Sequence, residues 1–341
     1  MLTPLDQLVR EHIAVHGPMP YSAVIERALY DSEFGFYSSG GRAGRRGDFL
    51  TSAEVGPLFG HVVSRAIDAE WDRLGQPEEF TFIDFGAGPG TLARAIHAAS
   101  PRVADHLRYI AVERSETQRE NHPDGVLSVD ALTTDHIGSG VSGMVFANEL
   151  LDNLAFTPIR WDGGVPAFAS VDVDDRNDLV ETYLVNAERE VTHLLPGRSV
   201  TDQSSAATWV RWVLGDVITR GRLVVIDYAR LLSEDVEVRT YSDHGRAGEP
   251  LVGLGSKDIT VDVDLEALQQ SVGQAESIVH QHEWLRAHGV DELVEEGRSI
   301  WQCEAGVGDL AALRAKSRIR EAESLCDERG LGGFLVSEWT V

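Results

Sequence analysis

The feature that most constrains this chain is an apolar strand pattern that runs directly into three closely spaced glycines. Residues 81–92 read TFIDFGAGPGTL, and a helical pattern follows them. Glycine suits positions where the backbone turns tightly and where a ligand approaches the main chain without interference from Cβ. A dinucleotide-binding turn has the spacing G-x-G-x-x-G, whereas this chain has D-x-G-x-G-x-G. The stretch predicts a ligand-binding turn between a strand and a helix, with an ordinary βα turn as the alternative.

Short apolar runs alternate with helical stretches from residue 80 onwards. Five runs predict strands at 80–85, 109–112, 126–129, 144–147 and 223–226. This alternation is typical of an α/β fold with a mostly parallel sheet and helices on both faces. Turn and strand signals predict a β-meander inserted at about 156–200, and two short helices are predicted at the start of the chain. We therefore expect an N-terminal helical extension over 1–78 and an α/β domain with a β-rich insertion over 79–341.

Local signals mark the ends of several elements. Thr51 and Glu54 have the form of a capping box, which predicts a helix from there to about Arg73. Near the end of the chain, the pattern predicts a helix over 310–325 and a closing strand over 332–336.

Polar side chains follow three of the predicted strands. Glu113 ends the second strand, Asp130 the third, and Asn148 with Glu149 the fourth. Ligands of open α/β sheets bind at the carboxyl ends of the strands. Because a carboxylate has two acceptor oxygens, Glu113 could accept both hydroxyls of a ribose, and Asp130 could accept an adenine amino group. The alternative is that each acid is a solvated strand end.

The glycine turn and the ordered polar residues after it resemble motif I and the following strand ends of class I S-adenosylmethionine (SAM) methyltransferases. This resemblance implies a Rossmann-like class I SAM methyltransferase sheet, with SAM as the cofactor and methyl donor. The residues that it places at the cofactor are Asp84, Gly86, Gly88, Gly90, Glu113, Asp130 and Asn148.

Two longer motifs support a narrower resemblance. Residues 47–60 read GDFLTSAEVGPLFG, similar to the GDFxTSPEVxxxFG signature of the MidA family, and residues 148–154 read NELLDNL, similar to its NELFDALP segment. Weaker matches extend the resemblance over nearly the whole chain, at 33–37, 241–244, 258–264, 281–285 and 333–336. The family is related to the mitochondrial protein arginine methyltransferase that assists respiratory complex I assembly. The resemblance implies that the N-terminal extension covers the cofactor, with Asp48, Phe49 and Thr51 closing over it.

The resemblance also implies an arginine side chain of a protein partner as the methyl acceptor. A guanidinium presents paired planar donors, which carboxylates hold well. Glu149 and Asp152 lie just past the fourth predicted strand and are candidates for this role, with capping of the next helix as the alternative. His244, with Tyr241 nearby in sequence, is the candidate general base. A surface or packing role for His244, and a reaction without a dedicated base, are the alternatives.

The chain departs from the family motifs near the expected acceptor side. Asn153 and Ala155 stand where the family has alanine and proline, Ala53 replaces a proline, and no arginine lies between Tyr241 and His244. These departures leave the acceptor open between a protein arginine and a small molecule methylated at O, N or C. A third reading is a SAM-binding assembly or scaffold protein with little turnover.

Composition limits the partners and the compartment. The 341 residues include 30 Lys plus Arg and 55 Asp plus Glu, a formal charge of −25. Nucleic acids and anionic membranes are bound through Lys and Arg, so we expect neither as a partner. We also expect no membrane span, because no apolar run approaches the necessary length. Two isolated cysteines, Cys303 and Cys326, and an N-terminus without a targeting pattern predict the cytoplasm. No metal site is predicted, and a homodimer is left open.

Overall fold

The computed structural model describes residues 2–38, 51–185, 194–242, 245–304 and 310–341. In chain order, its helices are α1 (Pro4–His16), α2 (Tyr21–Tyr30), α3 (Ser52–Val55), α4 (Pro57–Arg73), α5 (Thr91–Ala99), α6 (Glu116–Arg119), α7 (Thr134–Ile137), α8 (Ser204–Trp212), α9 (Leu265–Val272), α10 (Gln281–Ala287), α11 (Val290–Glu304) and α12 (Leu310–Leu325). Its strands are β1 (Met19–Pro20), β2 (Phe80–Phe85), β3 (Leu107–Val112), β4 (Val126–Val129), β5 (Val141–Asn148), β6 (Thr157–Asp162), β7 (Val165–Val173), β8 (Leu179–Val185), β9 (Thr201–Asp202), β10 (Ile218–Asp227), β11 (Ala229–Arg230), β12 (Val238–Ser242), β13 (Gly245–Arg246), β14 (Asp258–Val261), β15 (Val263–Asp264), β16 (Ser277–His280) and β17 (Leu335–Thr340).

The chain divides into two compact units, each built from separated segments. The sheet unit consists of Leu50–Glu149, Val213–Ile226 and Ala275–Val341, and the meander unit of Met1–Phe49, Leu150–Trp212 and Asp227–Gln274. This division differs from the boundary predicted at 78/79. The difference arises because α4 packs its apolar face against α5 and β5, and so joins the sheet unit.

The sheet unit is built on an α/β sheet. Within the described residues, seven strands pair in the order β16-β17-β10-β5-β2-β3-β4. The pairs β10–β5, β5–β2, β2–β3 and β3–β4 are parallel, and β16 is antiparallel to β17. All five predicted strand runs lie within these strands, which confirms the predicted fold class. The chain runs outward from β2 to β4 and then returns to β5 on the other side of β2. The topological switch point therefore lies between β2 and β5, where ligands of such sheets bind.

A close helix contact covers one face of this sheet. Gly60 of α4 lies against Ala95 of α5, so closely that a Cβ at position 60 would collide with the alanine side chain. Phe59 on the same helix is fully buried and packs its ring near Phe146 of β5. The Phe-Gly pair at the end of the 47–60 motif therefore serves helix-to-helix and helix-to-sheet packing.

The helix predicted from Thr51 to about Arg73 is interrupted, and its capping box is wrong. The hydroxyl of Thr51 makes no capping hydrogen bond, α3 ends at Val55, and α4 begins at Pro57. Proline suits the first position of a helix because it has no N–H to leave unpaired. Between the two helices, Gly56 leaves space for the carboxylate of a residue in α12, Glu321, which accepts from Leu58 N at 2.8 Å.

The closing strand predicted at 332–336 begins later than expected. Gly332 and Gly333 lie in a 3₁₀ turn, and β17 runs from Leu335 to Thr340. A side chain on either glycine would meet the backbone of residues 326–328, so this pair belongs to a tight turn. The helix predicted over 310–325 is confirmed as α12.

The meander unit holds the predicted β-rich insertion. Within the described residues, β7 pairs with β6, β8 and β1, all antiparallel, and β9 pairs with β6. Gly163 and Gly164, both with positive φ, form the two-residue turn between β6 and β7. The helices α1 and α2 bury their apolar faces in the core of this unit, next to residues of β7 and β14.

In the part of the chain that the structure describes, no helix combines the length and apolar character that a membrane crossing demands.

Candidate functional site

The glycine turn after β2 adopts the backbone that its sequence predicts. Gly86, Gly88 and Gly90 have φ angles of 71°, 54° and 75°, a region that residues with a side chain rarely adopt. The N–H groups of Gly86 and Ala87 both donate to the carbonyl of Val112, at 2.9 and 3.2 Å. The turn is therefore anchored to the end of β3 and presents bare backbone at the switch point of the sheet.

Glu113 is held against this turn. Its Oε2 accepts from Gly88 N at 3.0 Å, and its Oε1 accepts from Ser115 N at 2.8 Å. The Glu113 side chain is half-buried at the end of β3. Each carboxylate oxygen has a second lone pair, so the oriented carboxylate can still accept two hydroxyl groups.

Asp130 lies at the end of the neighbouring strand. The N–H of Glu113 donates to Val129 O at 3.0 Å, which ties the ends of β3 and β4 together. Asp130 is exposed, and its carboxylate accepts from its neighbour Ala131 N at 2.8 Å. The structure therefore brings Glu113 and Asp130 to adjacent strand ends beside the glycine turn.

Asp84 differs from the other predicted cofactor residues because it is buried. It is 3% exposed, and its Oδ2 accepts from Tyr109 Oη at 2.8 Å. Burial removes hydration from the charged form and raises the pKa of Asp84 to about 7. The geometry assigns Asp84 to the packing between β2 and β3, and its direct contact with a cofactor stays a prediction.

His122 also supports the glycine turn, although it was not singled out from the sequence. Its Nε2 lies 2.8 Å from the carbonyl oxygen of Gly88. A Cβ added at Gly90 would lie 3.0 Å from the imidazole Cδ2, so the ring packs directly beneath the turn. No sequence signal marks this residue, because the contact joins positions 34 residues apart.

Asn148 and Glu149 end β5 in an unusual conformation. Glu149 has a φ of 54°, which is strained for a residue with a side chain. Its Oε1 accepts from Ser52 N at 3.0 Å and from Asn148 Nδ2 at 2.9 Å. Glu149 thus caps the start of α3, the position that the Thr51 hydroxyl was expected to serve.

Asn148, the last residue of β5, has one side-chain atom without a partner in the described structure. Its Oδ1 is buried and receives no hydrogen bond from the residues that the structure describes. An unsatisfied buried acceptor is costly, which makes it a natural contact for a ligand donor. Together with the bare glycine backbone and the Glu113 carboxylate, this atom fits the amino and hydroxyl groups of a nucleoside amino acid.

Asp152 belongs to the meander unit, in a 3₁₀ turn over Leu151–Asn153. The turn is fixed by Asp227, whose Oδ2 accepts from Leu151 N at 2.8 Å and from Asp152 N at 3.4 Å. Asp152 and Asp227 are 3% and 1% exposed. Asp227 was not predicted as a site residue, yet it follows the fifth predicted strand as Glu113 and Asp130 follow theirs.

A hydrogen-bonded group in the same unit links three of the family-like motifs. The Tyr37 hydroxyl lies 3.0 Å from Asn153 Oδ1 and 3.1 Å from Asp258 Oδ1. Asn153 Nδ2 donates to Asp258 Oδ1 at 3.0 Å. Asn153, which departs from the family pattern, is therefore integrated into this network.

Three predicted site residues, Asp48, Phe49 and His244, lie outside the described residues. Tyr241, expected beside His244, is half-buried, and burial raises its pKa. Among the residues that are described, no group of three His, Cys, Asp or Glu side chains could hold a metal ion.

The fold and the glycine-turn geometry define the class of Rossmann-like proteins that bind a nucleoside ligand at a D-x-G-x-G-x-G turn. A family described as "Putative S-adenosyl-L-methionine-dependent methyltransferase" matches residues 62–283. The chain belongs to this family of SAM-dependent methyltransferases, and SAM is its cofactor.

Comparisons with individual proteins confirm the resemblance inferred from the motifs. The chain is 26% identical over 313 residues to the protein arginine methyltransferase NDUFAF7 homolog, mitochondrial, of Drosophila melanogaster, covering 81% of this chain and 71% of the relative. It is 22% identical over 334 residues to the protein arginine methyltransferase NDUFAF7, mitochondrial, of Homo sapiens, covering 85% and 74%. A COG1565 superfamily member from Burkholderia thailandensis, solved with S-adenosyl-homocysteine bound, has a TM-score of 0.83 at 25% identity, covering 99% of this chain and 92% of that one.

Proposed function

We propose that this methyltransferase transfers the methyl group of SAM to a side-chain nitrogen of arginine in a protein partner. The observation that carries the proposal is the glycine turn with an oriented Glu113 beside it, in a chain whose relatives are named protein arginine methyltransferases. The buried aspartates of the meander unit support the choice of a cationic acceptor.

The cofactor is held by the strand ends of the sheet unit in this proposal. Gly86, Gly88 and Gly90 offer backbone that a ligand can approach, Glu113 accepts the ribose hydroxyls, and Asp130 accepts the adenine amino group. Asn148 Oδ1 accepts the amino group of the methionine portion. Asp48, Phe49 and Thr51 are proposed to close over the cofactor, as the family resemblance implies.

The reaction demands alignment more than covalent participation by the protein. SAM supplies an activated methyl group on a sulfonium. Holding the acceptor nitrogen in line with that methyl group and excluding water provides about 7–11 kcal/mol of the barrier reduction. Glu149 and Asp152 are proposed to contribute carboxylates on the acceptor side, and His244 to serve as a candidate base. Each of these three roles is a separate proposal, and substitution of the residue concerned tests it.

The compartment and other partners are also part of the proposal. Two isolated cysteines favour a reducing compartment, for which we propose the cytoplasm. The relatives are named as mitochondrial proteins, so fractionation of the source cells decides this point. We expect no nucleic-acid partner, given the net charge of −25, and a homodimer as the assembly to test first.

The proposed function is tested by transfer of a labelled methyl group from SAM into an extract of the source cell. The products are separated by size, and the protein fraction is then hydrolysed to amino acids. We expect label in protein, recovered as methylated arginine. Label confined to low-mass material would instead establish a small-molecule methyltransferase, and SAM binding without transfer would establish a scaffold protein.

Two matched glycine variants control this experiment. Gly88→Ala forces a side chain into a positive φ of 54° at the cofactor turn, and Gly163→Ala does the same at 55° in the hairpin of the meander unit. Each carries a backbone cost of about 1–2 kcal/mol. We expect labelling to fall about tenfold or more in the first variant only. Equal labelling by both variants would contradict the role of the glycine turn.

A further inference from the structure

The family-like segment at 281–285 has no role in the proposed function, yet it begins with a fully buried glutamine. Gln281 is the first residue of α10 and is 0% exposed. Its backbone N–H donates to Phe334 O at 2.8 Å, and its side-chain Nε2 donates to Leu325 O at 3.1 Å. All three residues belong to the sheet unit. The side-chain amide is therefore anchored to the backbone at the end of α12.

This anchored amide has a defined orientation. A backbone carbonyl only accepts hydrogen bonds, so the amide atom beside Leu325 O is the nitrogen, and the amide oxygen faces the other neighbour. That neighbour is the hydroxyl of Ser52, which donates to Gln281 Oε1 at 2.9 Å. Ser52 is the first residue of α3 and is also 0% exposed. The bond thus joins α10 to the start of α3.

Ser52 connects this amide to the end of β5. Its backbone N–H donates to Glu149 Oε1 at 3.0 Å. Glu149 has a positive φ of 54°, a conformation that persists only where the surrounding structure holds it. The backbone N–H of Glu149 donates to Ile226 O at 2.8 Å. The strained residue is therefore fixed through its side chain by Ser52 and through its backbone by β10.

Glu149 in turn orients the side chain of Asn148. The oxygen that accepts from Ser52 N also accepts from Asn148 Nδ2, at 2.9 Å. An ionised carboxylate only accepts, so the amide nitrogen of Asn148 faces Glu149 and the amide oxygen is left for another partner. This Oδ1 atom is buried and has no hydrogen-bond partner among the described residues.

The strand register places Asn148 beside the glycine turn. Ala147 of β5 pairs with Phe85 of β2 in parallel register. One position further along each strand lie Asn148 and Gly86, the first glycine of the turn. A buried acceptor without a donor costs free energy, and an ammonium group of a ligand removes this cost. The methionine portion of SAM carries such a group.

We propose that Gln281 is a positioning residue for the cofactor and acts through Ser52 and Glu149. Its effect is that Asn148 presents an oxygen, and not an NH₂ group, to the ammonium group of SAM. Without this chain of hydrogen bonds the Asn148 amide can turn over and present a donor, which cannot accept from an ammonium group. The inference rests on the part of the proposed function that assigns the amino group of SAM to Asn148 Oδ1, and it does not involve the methyl acceptor.

The test compares the binding of two ligands to the full chain by calorimetric titration. S-adenosylhomocysteine contains the amino acid portion, whereas 5′-methylthioadenosine shares its adenosine and thioether and has no ammonium group. The ratio of the two dissociation constants measures recognition of the amino acid portion, and general damage to the site weakens both ligands. The variants are Gln281→Met, Ser52→Ala and Asn148→Leu. Gln302→Met, at an exposed position of α11, is the control.

We expect the wild type and Gln302→Met to prefer S-adenosylhomocysteine to the same degree. In Gln281→Met and Ser52→Ala, this preference should fall about tenfold with the affinity for 5′-methylthioadenosine retained, because one hydrogen bond to a charged group is lost. An unchanged preference in these two variants, or equal weakening of both ligands, overturns the positioning role. If Gln281→Met does not fold, Ser52→Ala decides, since alanine keeps the N–H that donates to Glu149.

Asn148→Leu separates this inference from the proposed function. An unchanged preference in Asn148→Leu overturns the assignment of Asn148 in the proposed function, and the inference falls with it. A preference that is lost in Asn148→Leu alone overturns only the role of Gln281. Recovery of the transferred label outside arginine overturns the proposed acceptor, and the binding ratios still decide the role of Gln281.

Discussion

Among single residues, His122 makes the most direct test of how the cofactor turn is supported. Its imidazole contacts the Gly88 carbonyl at 2.8 Å and packs against Gly90. We expect His122→Ala to raise KM for SAM by about 2- to 12-fold, the worth of one neutral hydrogen bond, with little change in kcat. Initial-rate kinetics measure both constants.

A matched variant separates this effect from a general loss of imidazole. His16 lies exposed at the end of α1, and His16→Ala is expected to leave both constants unchanged. If His122→Ala lowered kcat and left KM for SAM unaltered, the supporting role of His122 would be wrong.

Asp84 links stability to pH. Its pKa is about 7 in the folded protein, against 3.8 as its reference value, so the folded state binds more protons between these limits. The stability associated with Asp84 is present at low pH and is lost as the pH rises through about 7. Asp84→Asn keeps an acceptor for Tyr109 Oη and cannot ionise.

We therefore expect the free energy of unfolding of the wild type to fall relative to Asp84→Asn by about 2–3 kcal/mol between about pH 5 and pH 7. Urea unfolding of both proteins at the two pH values measures this difference. Parallel pH dependence in the two proteins would show that Asp84 titrates normally.

The sequence predicts site residues where a simple rule applies. Glu113 and Asp130 are found because polar residues at parallel strand ends meet at one edge of the sheet. The same rule applies to Asp227, which was not singled out. Glu149 could not be assigned in the same way, because its carboxylate turns back to cap α3, a partner 97 residues away.

Among the helices, the break between α3 and α4 depends on one close approach. Gly56 has an extended backbone, so a side chain there is free of backbone strain, but a Cβ would collide with the carboxylate of Glu321. Glu321 is 4% exposed, and its carboxylate accepts from Leu58 N and Ser317 Oγ. We expect Gly56→Ala to lower the free energy of unfolding by about 1–3 kcal/mol.

Gly215→Ala is the control for this variant. Gly215 has no heavy atom within 4 Å of an added Cβ and no positive φ. Urea unfolding should show a stability loss in Gly56→Ala alone. Equal stability of the two variants would mean that Glu321 yields freely and that the break at Gly56 has another cause.

The sequence predicts those helices and strands that local patterns of apolar and turn residues define. Apolar runs identify every strand from β2 to β5, and the glycine pair at 163–164 marks the hairpin. The break at Gly56 escapes prediction because a residue distant in sequence, Glu321, requires the glycine. The late start of β17 has a local cause, because Gly332 and Gly333 lie in a tight turn against the backbone of residues 326–328.

For the chain as a whole, the division into units is the feature that sequence reasoning could least supply. Each unit gathers three separated segments, and the boundary at 78/79 follows the change of pattern along the chain instead. A change in the hydrophobic pattern of the sequence indicates a change of secondary structure. The limits of a compact unit depend instead on which apolar faces pack together. The helices α3 and α4 illustrate the difference, because they precede β2 in the chain and belong to the same unit as its sheet.

Part of the formal net charge of −25 comes from carboxyl groups that are buried in the protein. Asp84, Asp152, Asp227, Asp258, Asp262 and Asp264 are each at most 3% exposed. These carboxyl groups contribute to internal hydrogen bonds, and in our proposal those of the meander unit support a cationic acceptor. We expect the negative charge on the remaining surface to disfavour binding to nucleic acids and anionic membranes.

The central claim is that the glycine turn and Glu113 hold SAM, and calorimetric titration with S-adenosylhomocysteine tests it most directly. Glutamine at 113 would place an amide NH₂ against one of the two N–H groups that the carboxylate now accepts. We predict saturable binding to the wild type and to the exposed control Glu116→Gln, and binding about 10- to 100-fold weaker to Glu113→Gln. Absence of binding to the wild type, or equal affinity of all three proteins, would contradict the account.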